Sequence, residues 1–302
     1  MKIAVTGAFS YSGKYIAKRL LEKGEEVITL TNHPNRPNPF SGKIQAFPLN
    51  FTNETELTQN LQGVDVLVNT YWVRFDKGSN TQPKAVENTK TLVRAAVKAG
   101  VKRIVHISIA NPSADSHLPY YWGKAANEKA VTESGMSYAI LRPTVLVGGG
   151  EDILINNIAF LLKHFPIFFV PGDGQYGIQP VHVEDLAELA VQGIYSKENY
   201  VIDAVGPDSY TFKGLIELVR DTIGAKSLLV SMPPRLALLA AQFLSFFVND
   251  VILTPEEVDG LMENLLISKE TAHGKILFKD WLNENRKIVG VTYASELKKH
   301  YV

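Results

Sequence analysis

The chain opens with an apolar segment that runs directly into a turn of small residues and then into an amphipathic helix. Residues 3–5 are Ile-Ala-Val, which predicts a buried strand, and residues 14–21 place apolar positions at helical spacing. Between them lies the segment TGAFSYSG, residues 6–13. A strand, a small-residue turn and a helix form the arrangement that holds a dinucleotide pyrophosphate, because backbone N–H groups and the helix dipole attract an anion.

The turn differs from the usual glycine-rich fingerprint at one position. Gly7 and Gly13 occupy the first and last glycine positions, whereas the middle position is Ser10. Serine is small, and its hydroxyl can donate a hydrogen bond to a phosphate oxygen. The alternative is a tight structural turn that binds no ligand.

Strand and helix patterns alternate through the first half of the chain. Predicted strands cover residues 27–30, 44–47, 64–68, 103–107 and 137–141, and predicted helices cover residues 54–61, 83–99 and 120–133. An Asn- and Pro-rich turn is predicted over residues 32–39. Alternation of this kind, with right-handed crossovers, predicts a doubly wound parallel α/β sheet. The strands are apolar throughout, as expected for strands buried on both faces.

The second half of the chain has a less regular pattern. Helices are predicted near residues 153–164, 184–195, 212–223, 234–248 and 255–266, with short strands at 179–182, 200–203 and 228–231. We therefore predict a Rossmann-type nucleotide-binding domain over residues 1–150 and a smaller, mostly helical C-terminal lobe over residues 151–302. We expect that lobe to pack on the first domain, with interleaving of the two as an alternative, and to bind the substrate at the carboxyl edge of the sheet.

Composition narrows the function classes. The 302 residues include 31 basic and 31 acidic side chains, so zero net charge provides no field that would steer the chain to nucleic acid. Without cysteine there is no disulfide, thiolate nucleophile or cysteine-ligated zinc, and the histidines lack metal spacing, so we expect no metal. Because the first strand begins at residue 3, we expect no signal peptide and a cytoplasmic protein.

One nearly apolar run stands out, from Leu236 to Val248, interrupted only by Gln242 and Ser245. It is shorter than the roughly 18 residues that a membrane span needs, so we predict no span. A helix that is apolar nearly all round is either buried or docked on a partner or a membrane surface, and burial in the lobe is the simpler interpretation. The sequence leaves the oligomeric state open.

Tyr120 and Lys124 form the candidate chemical pair. They are four residues apart at the start of a predicted helix, so they share one face. A phenol has an ordinary pKa near 10 and needs a stabilised phenolate to act as an acid/base near neutrality. A lysine ammonium on the same face supplies this stabilisation and can also hold a cofactor ribose hydroxyl. The alternative is a tyrosine at a helix start beside a surface lysine.

These motifs together resemble those of a known family. The residue 6–13 turn, the Tyr120/Lys124 pair, Leu141-Arg142-Pro143 and the segment PVHVED at residues 180–185 follow the order and spacing of short-chain dehydrogenases/reductases. The sequence is similar to their extended and atypical branch. That branch includes NAD(P)-dependent epimerases and dehydratases, NAD(P)H-binding quinone-reductase-like proteins and the NAD(P)H-binding accessory subunit of respiratory complex I. The resemblance covers roughly residues 1–205.

The resemblance implies roles for the matching positions. Tyr120 is the implied acid/base, and Lys124 its partner on the nicotinamide ribose. Asn50 and Phe51 lie near the adenine, Asn69, Thr70 and Tyr71 flank the cofactor, Asn88 supports the active site, and Pro143 lines the nicotinamide. The predicted catalytic residues are Tyr120, Lys124 and Ser108. The predicted cofactor-binding residues are Gly7, Phe9, Ser10, Tyr11, Ser12, Gly13, Asn32, His33, Arg36, Asn50, Phe51, Asn69, Thr70, Tyr71, Asn88, Lys124 and Pro143.

The catalytic serine of the family has no exact counterpart in this chain. Ile109 occupies its position, and Ser108 is one residue away. A shift of one residue in an extended segment turns the side chain to the other face. Ser108 is therefore our candidate for the substrate-polarising hydroxyl, with Ser113 and Ser116 as alternatives.

The end of the second predicted strand bears on cofactor choice. An acidic residue there would bind the ribose 2′-hydroxyl of NAD, but the chain has Thr31-Asn32 instead. Asn32, His33 and Arg36 can accept a 2′-phosphate, so the sequence favours NADP over NAD. The alternative for Arg36 is a solvated loop charge.

These observations predict an NAD(P)-dependent oxidoreductase that acts on a small-molecule substrate. We expect hydride to pass between the nicotinamide and an apolar carbonyl, alcohol or quinone-like group, with Tyr120 moving the proton. One alternative is a non-catalytic NAD(P)H-binding sensor or scaffold subunit. Another is a nucleotide-sugar epimerase or dehydratase.

Overall fold

The structure is a computed structural model that describes residues 1–33 and 36–300. Residues 34 and 35 of the predicted Asn- and Pro-rich turn, and residues 301 and 302 of the predicted second lobe, lie outside the described residues. The strands are β1 (Lys2–Thr6), β2 (Glu26–Thr31), β3 (Gln45–Pro48), β4 (Val66–Asn69), β5 (Arg103–Ile107), β6 (Ser137–Leu141), β7 (Val145–Val147), β8 (Ile167–Pro171), β9 (Gly177–Ile178), β10 (Pro180–His182), β11 (Tyr200–Ile202), β12 (Tyr210–Thr211) and β13 (Leu228–Met232). The helices are α1 (Tyr11–Glu22), α2 (Glu54–Asn60), α3 (Gln82–Ala99), α4 (Pro119–Thr132), α5 (Leu154–His164), α6 (Val183–Tyr195), α7 (Phe212–Ile223), α8 (Pro234–Val248), α9 (Pro255–Met262), α10 (Phe278–Asn285) and α11 (Glu296–His300).

A parallel sheet forms the centre of the first half. Within the described residues it has seven strands in the order β11-β6-β5-β4-β1-β2-β3, and every neighbouring pair is parallel. Helices α2, α3 and α4 pack in sequence along the sheet, and α1 packs against α6. The predicted α/β class, a Rossmann-type doubly wound sheet followed by a mostly helical C-terminal region, is confirmed.

Burial of apolar side chains explains why the strands pair as they do. Ala4, Ile28, Leu67 and Ile104 come from neighbouring strands and lie in one buried cluster with apolar residues of α2, α3 and α4. Since these strands face helices on both sides, their sequences have no polar alternation. Because β1, β4 and β5 pair in parallel, their carboxyl ends lie side by side at one edge of the sheet.

The last strand of this sheet and the helix before it come from the less regular second half of the sequence. The patterns predicted at residues 184–195 and 200–203 correspond to α6 and β11, which belong to the first unit. β11 extends the sheet by pairing with β6, with Tyr200 opposite Ala139. A pattern three residues long does not reveal its pairing partner, because the pairing depends on contacts far along the chain.

The chain divides into two compact units. The first comprises Met1–Pro143 and Val183–Ala204, and the second comprises Thr144–His182 and Val205–Val302. The second unit contains the strand pairs β7–β10, β8–β13 and β9–β12 together with the remaining helices. Its core includes Ile155, Leu215 and Trp281. The role of the second unit in substrate binding stays a prediction.

Several elements of the second unit are absent from the sequence prediction. Strands β7, β8 and β12 and helices α10 and α11 are short, so their periodicity is difficult to recognise. None of the helices in the described part of the chain is both long enough and apolar enough to cross a membrane.

Arg103 connects the sheet to the segment that carries β11, and its replacement tests this part of the fold. Its guanidinium donates hydrogen bonds to the carbonyls of Gly193, Tyr138 and Glu198 at 2.6, 3.2 and 2.8 Å. We expect Arg103→Met to lower the free energy of unfolding by about 2–4 kcal/mol, because it leaves these carbonyls without their donor. Chemical denaturation measures this loss.

The matched control for this prediction is Lys102→Met at the neighbouring position. The Lys102 side chain is 82% exposed, so its replacement is expected to change stability by less than about 0.5 kcal/mol. Equal stability of Arg103→Met and the wild type would contradict the role assigned to Arg103.

Candidate functional site

The turn between β1 and α1 is held by main-chain contacts. The Gly7 N–H donates to the carbonyl of Leu30 on β2 at 2.9 Å, and the Ser10 N–H donates to the Gly7 carbonyl at 2.8 Å. Helix α1 then begins at Tyr11, so Tyr11, Ser12 and Gly13 form its first turn. Their backbone N–H groups lie at the end of a helix, where an anion is stabilised.

Glycine is present at the two positions of this turn where the geometry requires it. Gly7 has a φ of +66°, which favours glycine. A Cβ atom on Gly13 would lie only 2.3 Å from the Gly7 carbonyl oxygen. Ser10 has an ordinary extended backbone, φ −96° and ψ 174°, so serine causes no strain there. Within the described chain the Ser10 side chain makes no capping hydrogen bond to α1. The turn therefore fits a dinucleotide pyrophosphate despite the missing middle glycine.

The ends of β1 and β4 are linked beside this turn. The Thr70 N–H donates to Thr6 Oγ1 at 2.7 Å, and Thr70 Oγ1 donates to the Thr6 carbonyl at 2.6 Å. Asn69 is fully buried, and its amide lies 3.1 Å from Nδ1 of His106 on β5. These contacts hold Asn69 and Thr70 in one buried arrangement at the edge of the sheet.

Tyr71 contacts two of the other predicted site residues, Asn88 and Phe51. The Asn88 amide donates to the Tyr71 hydroxyl at 2.8 Å, and the rings of Phe51 and Tyr71 are 4.7 Å apart. Burial raises the pKa of Tyr71, although the Asn88 hydrogen bond opposes this. Asn50 faces α2 instead, where its amide donates to Glu56 at 3.0 Å and its carbonyl oxygen accepts from Thr52.

The loop after β2 brings a positive charge to the turn. Arg36 Nη1 donates to Ser10 Oγ at 3.4 Å, and the His33 N–H donates to Thr31 Oγ1 at 3.0 Å. Burial and, to a smaller extent, the Arg36 charge lower the pKa of His33. Asn32 is exposed, and Phe9 packs its ring 6.4 Å from that of Phe40 in the same loop.

Tyr120 and Lys124 lie in α4 near the carboxyl end of β5. The Lys124 ammonium is buried and donates to the Ile107 carbonyl at 3.0 Å. The Trp72 ring lies 5.0 Å from Lys124 Nζ and makes an edge contact with the Tyr120 ring at 5.6 Å between centroids. Trp72 fits there only because position 123 is glycine, since a Cβ atom at Gly123 would lie 2.5 Å from the indole.

Burial determines the electrostatics of this pair. Loss of solvent lowers the pKa of Lys124 from its ordinary 10.5 to about 7, and the nearby Glu128 carboxylate opposes this shift. The pKa of His106 is lowered to about 3, mainly by burial and then by the Lys124 charge. His106 is therefore neutral at physiological pH, whereas Lys124 exchanges its proton near neutrality.

Ser108 faces a different set of side chains. Its hydroxyl donates to Glu128 Oε1 at 2.5 Å, and Arg142 donates to both carboxylate oxygens of Glu128 at 2.9 and 2.6 Å. Ile109, at the position of the family serine, is buried. Pro143 closes this region, since its carbonyl accepts from the Ala110 N–H at 2.8 Å. The structure thus brings Ser108 to Glu128, and its catalytic role stays a prediction.

Sequence reasoning overlooked three residues around the pair. Trp72 follows Tyr71 directly after β4, and Glu128 lies one helical turn after Lys124, so spacing alone could have indicated both. His106 lies in the buried strand β5, where the sequence pattern indicates only a core position. Within the described residues, the indole Nε1 of Trp72 and Nε2 of His106 are buried without a hydrogen-bond partner.

Comparison with known proteins identifies the kind of domain that carries these residues. Residues 7–156 match the family described as NAD(P)H-binding, and this part of the chain belongs to it. The chain is 24% identical over 283 residues to the mitochondrial NADH dehydrogenase (ubiquinone) 1 alpha subcomplex subunit 9 of Arabidopsis thaliana. That match covers 87% of this chain and 70% of the relative.

Solved structures agree on the fold. The UDP-N-acetylglucosamine 4-epimerase from Bacillus cereus is 16% identical, with a TM-score of 0.69 over 97% of each chain. The triphenylmethane reductase of Citrobacter sp. is 18% identical, with a TM-score of 0.69 over 95% of this chain and 100% of that one. Residues 7–156 thus belong to an NAD(P)H-binding family, and the chain has the fold of these epimerase and reductase structures. The NAD(P)H-binding resemblance drawn from the sequence is confirmed.

The buried ammonium of Lys124 predicts how stability depends on pH. Because its pKa is about 7 in the folded protein and 10.5 ordinarily, the unfolded chain binds more protons between these values. Stability from this group therefore increases with pH across that window, by up to about 1.4 kcal/mol per pH unit. We expect Lys124→Met to remove this slope in denaturation experiments between pH 7 and 10.

Lys129→Met is the matched control on the same helix. The Lys129 side chain is 73% exposed, so the slope of stability against pH should stay that of the wild type. If Lys124→Met and Lys129→Met retain the same slope, the ammonium of Lys124 is not buried as described.

Proposed function

We propose that the chain is an NAD(P)-dependent oxidoreductase in which Tyr120 moves a proton to or from an apolar carbonyl, alcohol or quinone-like substrate. The observation that carries the proposal is the placement of Tyr120 and Lys124. Both lie in α4, and the Lys124 ammonium is held against the Ile107 carbonyl at the end of β5. A buried lysine is costly to keep, so its position beside a tyrosine supports a chemical role.

The residues around the β1–α1 turn supply the proposed cofactor site. The first turn of α1, with the Ser10 hydroxyl, would hold the pyrophosphate, and Thr70 and Tyr71 would flank it. Phe51 and Asn50 would lie on the adenine side, while Lys124 and Pro143 would hold the nicotinamide end. A bound nicotinamide supplies or accepts a hydride. The close packing of Gly7 and Gly13 supports this assignment, because it lets backbone N–H groups approach a ligand.

Tyr120 and Lys124 would handle the proton. A positive charge beside a phenol favours the phenolate, so a protonated Lys124 would assist the release of the Tyr120 proton. Lys124 itself has a pKa of about 7, so it can pass a proton on at the same pH. Trp72 contacts both members of the pair, since its ring lies against the Lys124 ammonium and the Tyr120 ring.

The surroundings of Tyr120 support an apolar, flat substrate. The centroid of its ring lies 5.6 Å from that of Trp72 and 5.8 Å from that of Tyr121, so two aromatic rings lie beside the proposed acid/base. Aromatic rings bind planar apolar groups through stacked and edge contacts. A quinone or an aromatic carbonyl satisfies this environment better than a strongly charged substrate does.

Arg36 supports NADP as the cofactor. Its guanidinium reaches Ser10 of the turn, and residues 27–53 contain no acidic side chain that would repel a 2′-phosphate. Guanidinium groups recognise phosphate through charge-assisted hydrogen bonds. Asn32 and His33 lie in the same loop and would contribute further contacts.

A second candidate function is a non-catalytic NAD(P)H-binding subunit. The observation that favours it is the engagement of the Ser108 hydroxyl with Glu128, together with the buried Ile109 at the position of the family serine. The Arabidopsis relative is by name a subunit of a larger NADH dehydrogenase. In this case the chain would bind the cofactor without reducing a substrate.

Replacement of Tyr120 tests the oxidoreductase proposal. We expect the wild type to oxidise NADPH with members of a panel of quinones and aromatic carbonyl compounds. Tyr120→Phe should lower the turnover number by about 10²–10⁴, because it removes the acid/base, and should change NADPH affinity little. Tyr121→Phe is the matched control, since it removes the neighbouring hydroxyl while leaving Tyr120 in place.

The possible outcomes separate the two candidates. Unchanged turnover in Tyr120→Phe would contradict the role of Tyr120. Tight NADPH binding without oxidation of any compound in the panel would favour the non-catalytic subunit.

A further inference from the structure

Helix α8 of the second unit buries its small side chains and exposes its large ones. Ala237 and Ala241 are buried, and the helix packs on β8. On the outer side, Leu236, Leu239, Phe243, Phe246 and Phe247 are between 52% and 84% exposed. This reverses the usual amphipathic arrangement, in which the large apolar residues face the core. An exposed apolar surface of this kind indicates an interaction site.

The neighbouring strands extend the exposed apolar surface. In the β8–β13 pair, Leu228 lies opposite Ile167 and Val230 lies opposite Phe169. Since side chains alternate along a strand, these four residues share one face of the pair. Leu228, Val230 and Ile167 are exposed there. We call the five exposed apolar residues of α8, together with Leu228 and Val230, the α8 patch.

The charged side chains in the chain segment that forms the α8 patch are basic, and the acidic residues Asp221 and Asp250 lie immediately outside this segment. Within residues 222–249, the charged side chains are Lys226, just before β13, and Arg235, in the first turn of α8. Both are exposed, and the segment contains no acidic residue. The segment therefore carries a charge of +2 in a chain whose formal net charge is zero. Basic residues bordering an apolar helix face complement an anionic lipid surface.

The patch offers few hydrogen-bonding groups. The Ser245 hydroxyl is engaged within the unit, since it donates to the Ala241 carbonyl and accepts from the Ile252 N–H. Gln242 is the exposed polar side chain in the middle of the helix. A protein–protein interface normally contains about one hydrogen bond per 100–200 Å². Lipid chains require none, so the composition favours a membrane over a protein partner.

We propose that the α8 patch docks the protein on an anionic membrane surface, with α8 lying along the interface. At 15 residues, α8 is about 22 Å long and too short to cross a hydrocarbon core of about 30 Å. Pro234 begins the helix and Asn249, in a left-handed conformation, ends it, so the apolar face is formed before contact. The phenylalanine rings would enter the lipid while Lys226 and Arg235 contact anionic headgroups.

Vesicle flotation with the full chain tests this proposal. We expect binding to vesicles that contain phosphatidylglycerol and phosphatidylcholine, stronger than to pure phosphatidylcholine vesicles and weakened by salt. The double variant Phe243→Ser/Phe246→Ser should lose binding by about 30-fold or more, because two exposed rings no longer enter the lipid. Arg235→Ser should weaken binding about fivefold.

Val97→Ser is the matched control, because Val97 is an exposed apolar residue on α3 of the other unit. It should bind vesicles as the wild type does, and the thermal unfolding of every variant should match that of the wild type. Absence of flotation, or flotation unchanged by Phe243→Ser/Phe246→Ser, would overturn the proposal. A dimer in solution that disappears in the double variant, without vesicle binding, would assign the patch to a second copy of the chain.

Discussion

The close main-chain contact between Gly7 and Gly13 is the constraint on which the nucleotide-binding half depends. Because a Cβ atom at position 13 would meet the Gly7 carbonyl at 2.3 Å, α1 can leave β1 at this angle only with glycine there. The resulting turn points the start of α1 toward the edge where β4 and β5 also end. Thr6 and Thr70 then join β1 to β4 by two hydrogen bonds beside this turn.

Burial of Lys124 is the second constraint, and it links structure to chemistry. The ammonium keeps the Ile107 carbonyl and the Trp72 ring as its neighbours, and its pKa is lowered to about 7. This burial of a lysine in the same helix as Tyr120 supports the proton transfer that we propose for the pair. At the position where the resemblance implies a catalytic serine, this chain has Ile109. The hydroxyl of the neighbouring Ser108 donates to Glu128, which also accepts a hydrogen bond from Arg142.

Much of the fold follows from local patterns, whereas the details of the site depend on distant contacts. Strand-helix alternation predicts the doubly wound sheet because each element buries its own apolar residues. It does not predict that β11 joins the sheet, since Tyr200 and Ala139 are far apart in the chain. The position of Trp72 depends on the missing Cβ at Gly123, and the Arg36–Ser10 contact depends on how a loop folds back. The one-residue offset of Ser108, visible in the sequence, agrees with its orientation toward Glu128.

Parallel calorimetric titration with NADPH and NADH tests the central claim, that the β1–α1 turn binds a dinucleotide beside Tyr120 and Lys124. We expect micromolar binding of NADPH and weaker binding of NADH. Arg36→Glu should weaken NADPH binding about tenfold and leave NADH binding nearly unchanged, because only the 2′-phosphate meets the new charge. Failure of the wild type to bind either nucleotide would contradict the account and leave the turn a purely structural element.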